Sequence, residues 1–203
     1  MPDYTEFIAR IYRYGGYRSE GQHAISALVE SGEPAFDAFL VAREQPPESD
    51  IHGRDLAETM IDVIGQFSKS IPDVVLDRFE SGELDEFETY WALGSGSGDR
   101  SIDVLINGLK SKEKFCRWAA AESLIRRKSR RATPALLDAL KDRSSDVKFA
   151  VVSTMQKWKQ LRRPEAIPAL KRIIASKAIL KHSPGLHKAA VAVIKLIKCE
   201  NRS

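Results

Sequence analysis

The sequence predicts an all-α chain, a right-handed α-solenoid of about six helical hairpins. Three observations carry that prediction. Val104-Leu105-Ile106 with Leu109-Lys110 recurs 31 residues later as Ala135-Leu136-Leu137 with Leu140-Lys141. The same step carries Cys116-Arg117-Trp118-Ala119-Ala120 onto Val147-Lys148-Phe149-Ala150-Val151, and Leu124 onto Met155. A third copy, Pro168-Ala169-Leu170 with Ile173-Ile174, stands 34 residues after the second and continues into Leu186-His187-Lys188-Ala189-Ala190. Fixed periods of this size mark stacked supersecondary units, each burying its apolar face only against its neighbours.

Taken in order, the first hairpin spans Asp3 to Tyr14 and Ser19 to Ser31, broken at Gly15-Gly16, with Ile8, Ile11, Ala24, Ile25 and Leu28 at helical spacing. Its tyrosines Tyr4, Tyr12, Tyr14 and Tyr17 read as an aromatic cap over the solenoid's end. The second hairpin spans Glu33 to Glu44 and Arg54 to Ser68, joined by a polar, Pro-rich loop from Gln45 to Asp50 that cannot be helical. The third joins Ile71 to Leu76 with Leu84 to Leu93, and Pro72, like Pro134 and Pro168, stands in a first turn where a missing N–H costs nothing. Hairpins four to six follow the repeat register, the last interrupted by an insertion from Lys177 to Ser183. Gly94-Ser95-Gly96-Ser97-Gly98 has no strand before it and no Lys-Ser/Thr after it, so it reads as a flexible joint and not as a phosphate loop. It divides the chain into an acidic part, residues 1–94, and a basic part, residues 95–203, of one continuous solenoid.

The run Ala92-Leu93-Gly94, Gly98-Asp99-Arg100-Ser101-Ile102, Leu105-Ile106 and Leu109-Lys110 resembles the HEAT-like repeats of the phycobilin-lyase type. Units of that family show a Gly-Asp turn, an apolar helix and a second helix opening Val-Arg-x-Ala-Ala. Arg130-Arg131-Ala132 and Arg163-Pro164-Glu165-Ala166 depart from the Gly-Asp turn. The resemblance implies a scaffold whose second helices line a concave surface, and no particular activity.

Charge is unevenly spread. Residues 1–100 hold 8 Lys/Arg against 20 Asp/Glu, net −12, and residues 101–203 hold 24 against 8, net +16. Such asymmetry governs partners and association rates. Cys116 and Cys199 lack metal or disulfide spacing, and Cys116 falls on a core position. With no signal-like start and no long apolar run, a cytoplasmic location, no membrane contact and no cofactor are expected.

The second helices carry the candidate site. Turned through 100° per residue, Val147, Ala150, Val151, Thr154, Met155 and Trp158 point inward, while Phe149, Ser153 and Gln156 point outward. The register then places Phe87, Trp118 and Phe149 in an aromatic ladder on the concave face, with Trp91, Arg117, Glu122 and Lys148 beside it. A helix phase shifted by one residue would make these rings core instead. Asp55, Glu58 and Asp62 share one helical face, and Glu83, Asp85, Glu86 and Glu88 cluster after it, as an acidic patch. Arg126, Arg127, Arg130, Arg131 and Lys157 form a basic patch beyond what helix C-termini alone favour. No catalytic residues and no metal ligands stand out: no HExxH is present, and none of His23, His52, His182 or His187 precedes a Glu.

These features point to a non-enzymatic scaffold capturing a partner protein on its concave face. Its opposed charges resemble bacterial immunity or inhibitor proteins that neutralise a toxin, with a basic toxin or nuclease as a fitting partner. The alternative is nucleic-acid binding by the basic half. Trp118-x-x-x-Glu122 is similar in that respect to the DNA glycosylases built on HEAT-like repeats, although those present Asp where this chain has Glu122.

Overall fold

In the computed structural model, which describes residues 3–49, 51 and 53–200, every regular element among the described residues is helical. The chain divides into two compact units, Met1–Ser101 and Ile102–Ser203. Ser101 is uncharged, so the −12 and +16 above are also the charges of the two units. Asp50, His52, Asn201 and Arg202 lie outside the described residues.

The first unit contains α1 (Thr5–Tyr14), α2 (Ser19–Glu30), α3 (Glu33–Glu44), α4 (Gly53–Ser70), α5 (Pro72–Glu80) and α6 (Glu86–Ala92). These follow the expected hairpins to within a few residues at each end. Ile11, Ile25, Leu28, Phe36, Phe39, Val63, Ile64 and Phe67 form a solvent-free core in which the Phe36 and Phe67 rings lie 4.7 Å apart. The α1–α2 crossing is close because Gly21 lacks a side chain: a Cβ there would stand 1.7 Å from the Gly15 carbonyl oxygen. Tyr12 and Tyr17 do not share one surface as an aromatic cap would require. Tyr12 is a core residue, whereas Tyr17 stands in solvent and donates its hydroxyl to Glu58.

The second unit continues α7 (Asp99–Gly108), which crosses the division, with α8 (Lys114–Arg127), α9 (Thr133–Asp138), α10 (Ser145–Met155), α11 (Ile167–Ala175), α12 (Lys177–His182) and α13 (Pro184–Glu200). Leu105, Leu136 and Leu170, equivalent in the repeat, are all fully buried, as are Ala120 with Val151 and Leu124 with Met155. Short 3-10 turns flank α9 on both sides and precede α11. The insertion Lys177–Ser183 is helical over α12, its N-cap Ser176 accepting from the Ile179 N–H. One expectation changes here. Trp158 does not continue the inward face of α10, since that helix ends at Met155 and Trp158 lies in the turn beyond, half-buried.

The Gly94–Gly98 segment is a pinned turn, not the free joint its composition suggested. The N–H groups of Gly94 and Ser95 bond to the last carbonyls of α6, that of Gly96 to the C-cap Leu93 carbonyl, and Ser97 N–H bonds to Ser68 O at 3.0 Å. Donors used in this way cannot cradle a phosphate.

Candidate functional site

Helices α8 and α10 pack side by side, with α13 next to α10. Their inward faces are small, Ala119, Ala120 and Ala121 on α8 and Ala150, Val151 and Val152 on α10, all buried. Small side chains let helices approach closely, which leaves the larger residues on the opposite, exposed faces. Phe149 is 45% exposed and Phe115 57%. Trp118 is half-buried, less exposed than either, and the residue equivalent to it one repeat on is Phe149. Phe115, Trp118, Glu122 and Arg126 follow one another at i, i+3, i+7 and i+11, a single stripe along α8. The Phe149 ring reaches the first turn of α13, where a Cβ on Gly185 would stand 3.7 Å from it.

Along that stripe, polar groups are matched to one another. Trp118 hydrogen-bonds Glu122, and Arg126 acts on the same carboxylate by charge. Burial nevertheless dominates and holds the Glu122 carboxyl above its usual range, with Arg126 and the indole pulling the other way. The Lys114 ammonium sits 4.6 Å from the Phe115 ring centre, within cation–π reach. Phe115 was absent from the sequence-derived ladder. The repeat register maps it onto the exposed Asp146, so its exposure was legible in principle.

Arg117 is a correction. Expected on the binding face, it is 4% exposed and makes a two-pronged pair with Asp142, Nε to Oδ2 at 2.8 Å and Nη2 to Oδ1 at 3.2 Å. Its Nη1 also donates to the carbonyls of Ser111 and Lys112 at 2.9 and 3.0 Å. A guanidinium so fully used ties the turn after α7 to the turn before α10, and offers nothing to a partner. Lys148, its equivalent on α10, turns toward α11 and not toward Phe149: it lines a groove with Arg172 and Ile173.

The basic patch does not act as one block. Arg126 donates to the Ser123 hydroxyl at 3.0 Å and Arg131 pairs with Asp103 at 2.8 Å. Arg127 is half-buried, and Lys157 is exposed just past the end of α10. Arg130 and Arg163 line an open groove of about 610 Å³ with Thr133, Leu137, Gln160 and Glu165.

In the first unit, Phe87 and Trp91 stack on one another with ring centres 6.3 Å apart, both half-buried, so these two rings form a pair on α6. The acidic residues around them hold the fold as much as they decorate it. Asp85 caps α6 by accepting from the Phe87 and Glu88 N–H groups, and Glu88 pairs with Arg43. Arg78 is ringed by Asp37 at 2.7 Å, Glu33 at 3.5 Å and Glu83 at 3.9 Å. Glu58 takes both Tyr17 and Arg54, which together hold its carboxyl below the ordinary range. Asp62 receives the amide of Gln66 at 3.3 Å. Asp55 and Glu86 are exposed. The unit is acidic beyond what these pairs neutralise.

Among the described residues no helix is long and apolar enough to cross a membrane. A family model described as HEAT repeats matches residues 88–155 and 102–183, which cover the first two repeat copies, the first helix of the third and the stripe on α8. No curated protein matches the chain.

Proposed function

The chain is a HEAT-like helical repeat protein, and we propose that it is a non-catalytic scaffold that captures a partner protein on the face of α8 and α10 that exposes Phe115 and Phe149, the face the repeat register reads as concave. HEAT repeats suggest protein partners, and the exposure of Phe115 on α8 and of Phe149 on the adjacent α10 supports this face as the contact. Exposed aromatic rings among cations are the composition of interaction hot spots. Trp118 and Glu122 are engaged with one another, which favours a contact surface over a glycosylase-like site. The acidic first unit would speed capture of a basic partner, such as a toxin or nuclease that this chain would neutralise.

The charge of +16 on the second unit favours a second reading, nucleic-acid binding. Two experiments separate the readings. In affinity capture from the cells that make the protein, the wild type should retain a protein that Phe115→Ala/Phe149→Ala loses, while the variant's urea midpoint stays unchanged. If instead the wild type binds duplex or single-stranded DNA at low salt, and Arg126→Glu/Arg130→Glu abolishes that binding, the nucleic-acid reading replaces the first.

A further inference from the structure

Two grooves in the second unit are the same groove one repeat apart. The first is lined by Leu109, Lys110, Ala135, Asp138, Ala139, Lys141 and Asp142, with Ile106. The second, of about 280 Å³, is lined by Leu140, Lys141, Ala169, Arg172, Ile173 and Ser176, with Lys148 and Ile179. The repeat steps of 31 and 34 residues superimpose them: Leu109 and Lys110 become Leu140 and Lys141, and Ala135 and Ala139 become Ala169 and Ile173. Asp138 becomes Arg172, and Asp142 becomes Ser176.

The backbone supports that equivalence. Asp142 and Ser176 each end a first-helix segment with ψ turned out of the helical range, to 149° and 110°. Each turns its side-chain oxygen back to a following N–H, Asp142 to Ser144 and Ser176 to Ile179. Ser111 does the same for Glu113 one repeat earlier. The partner of Asp142 is the buried Arg117, and the residue 31 positions after Arg117 is Lys148, which lines the second groove with Ser176.

An inter-repeat ion pair has therefore kept its cation and exchanged its carboxylate for a hydroxyl. The other carboxylate of the first groove has been replaced by an arginine. The lining changes from two cations and two anions to three cations, Lys141, Lys148 and Arg172, with no anion. Neither Lys148 nor Arg172 has an ion-pair partner among the described residues, and Lys148 is half-buried. Lys141 pairs only with Asp138, both strongly exposed, a contact that exchanges for another at little cost. Below the cations lies an apolar floor of Leu140, Ala169, Ile173 and Ile179.

We propose that this second groove is an oxyanion-binding site, taking a phosphate or carboxylate group in the place that Asp142 fills one repeat earlier. Lys148 meets the oxyanion from α10 as Arg117 meets Asp142 from α8, Arg172 meets it from α11, and the Ser176 O–H remains available to donate while its oxygen caps α12. The floor accommodates an apolar body attached to the charged group. The oxyanion has two sources, a free phosphate or the acidic side chain of a peptide.

The test is a titration of the full chain followed by amide NMR, one arm with inorganic phosphate and one with the peptide acetyl-Asp-Glu-Asp-amide. Saturable shifts at Lys148, Ser176 and Ile179 are expected in at least one arm, and the arm that saturates at lower concentration identifies the source. Ser176→Asp rebuilds the internal carboxylate and should weaken binding in that arm at least tenfold. Lys148→Met should weaken it similarly by removing the cation, which gives an independent reading if the aspartate variant folds poorly. Amides of the first groove away from the lining the two share, such as Leu109 and Ala135, should not respond. Absence of saturable shifts at Ser176 and Ile179 in both arms would overturn the proposal, as would wild-type affinity in both variants.

Discussion

Replacing Arg117 by Met keeps most of the side chain's stem and volume while deleting its charge, so the loss of stability reads the electrostatics alone. Four hydrogen bonds disappear, two to Asp142 and one each to the Ser111 and Lys112 carbonyls. The Asp142 carboxylate, whose side chain is 10% exposed, is then left without a counter-charge. Breaking one partner of a buried pair costs about 3 to 5 kcal/mol, against about 0 to 1 kcal/mol for a surface pair. Urea unfolding at neutral pH should therefore place Arg117→Met about 3 kcal/mol below the wild type. Asp142→Asn retains an oxygen for the Ser144 N–H and neutralises the carboxylate, so it isolates the pair from the cap. If the pair is what matters, the double variant should be less destabilised than the two single losses added together, with a coupling of about 2 kcal/mol or more. Hydrogen exchange should quicken at Ser111 to Glu113 as well, because that turn loses its anchor. An Arg117→Met loss under about 1 kcal/mol, or strictly additive losses, would refute the assignment of Arg117 to the fold and return it to the binding surface.

Three further outcomes follow from particular atoms. Gly21→Ala should destabilise the first unit by at least about 2 kcal/mol in urea unfolding, since its Cβ meets a backbone carbonyl that cannot rotate away. Lys128 closes α8 in the left-handed region at φ 50°, so Lys128→Gly should raise the urea-unfolding free energy by about 0.5 to 1 kcal/mol. Glu122 has its folded-state pKa raised above 4.5, chiefly by burial, so its protonated form fits the fold better. That contribution is fully present below pH 4.5 and is lost as pH rises through the folded value. Glu122→Gln should then be more stable than the wild type at pH 7 and no more stable at pH 4, and a gain that does not change between those two pH values would contradict the assignment.

How much of this was legible in the sequence depended on whether a residue's environment lies within its own repeat. Leu105, Leu136 and Leu170 were readable because each hairpin buries the same face in the same register, and burial of an apolar side chain needs only that face. The exposure of Phe149 was readable for the same reason, since it stands opposite Val147, Ala150 and Val151 on a regular helix. Arg117 was not readable. A cation beside an exposed aromatic on a helical wheel looks the same whether it faces solvent or a carboxylate 25 positions later, and only packing brings Asp142 to it. The grooves show the same boundary from the other side. The exchange of Asp142 for Ser176 and of Asp138 for Arg172 stands in the sequence, but that these residues line one cleft with Lys148 follows from the stacking of α9 to α12. Periodicity within a repeat determined the helices and the core, because hydrophobic burial is local and directionless. The pairing of charges between repeats is directional and set by a few ångströms, so the tertiary structure alone decided it.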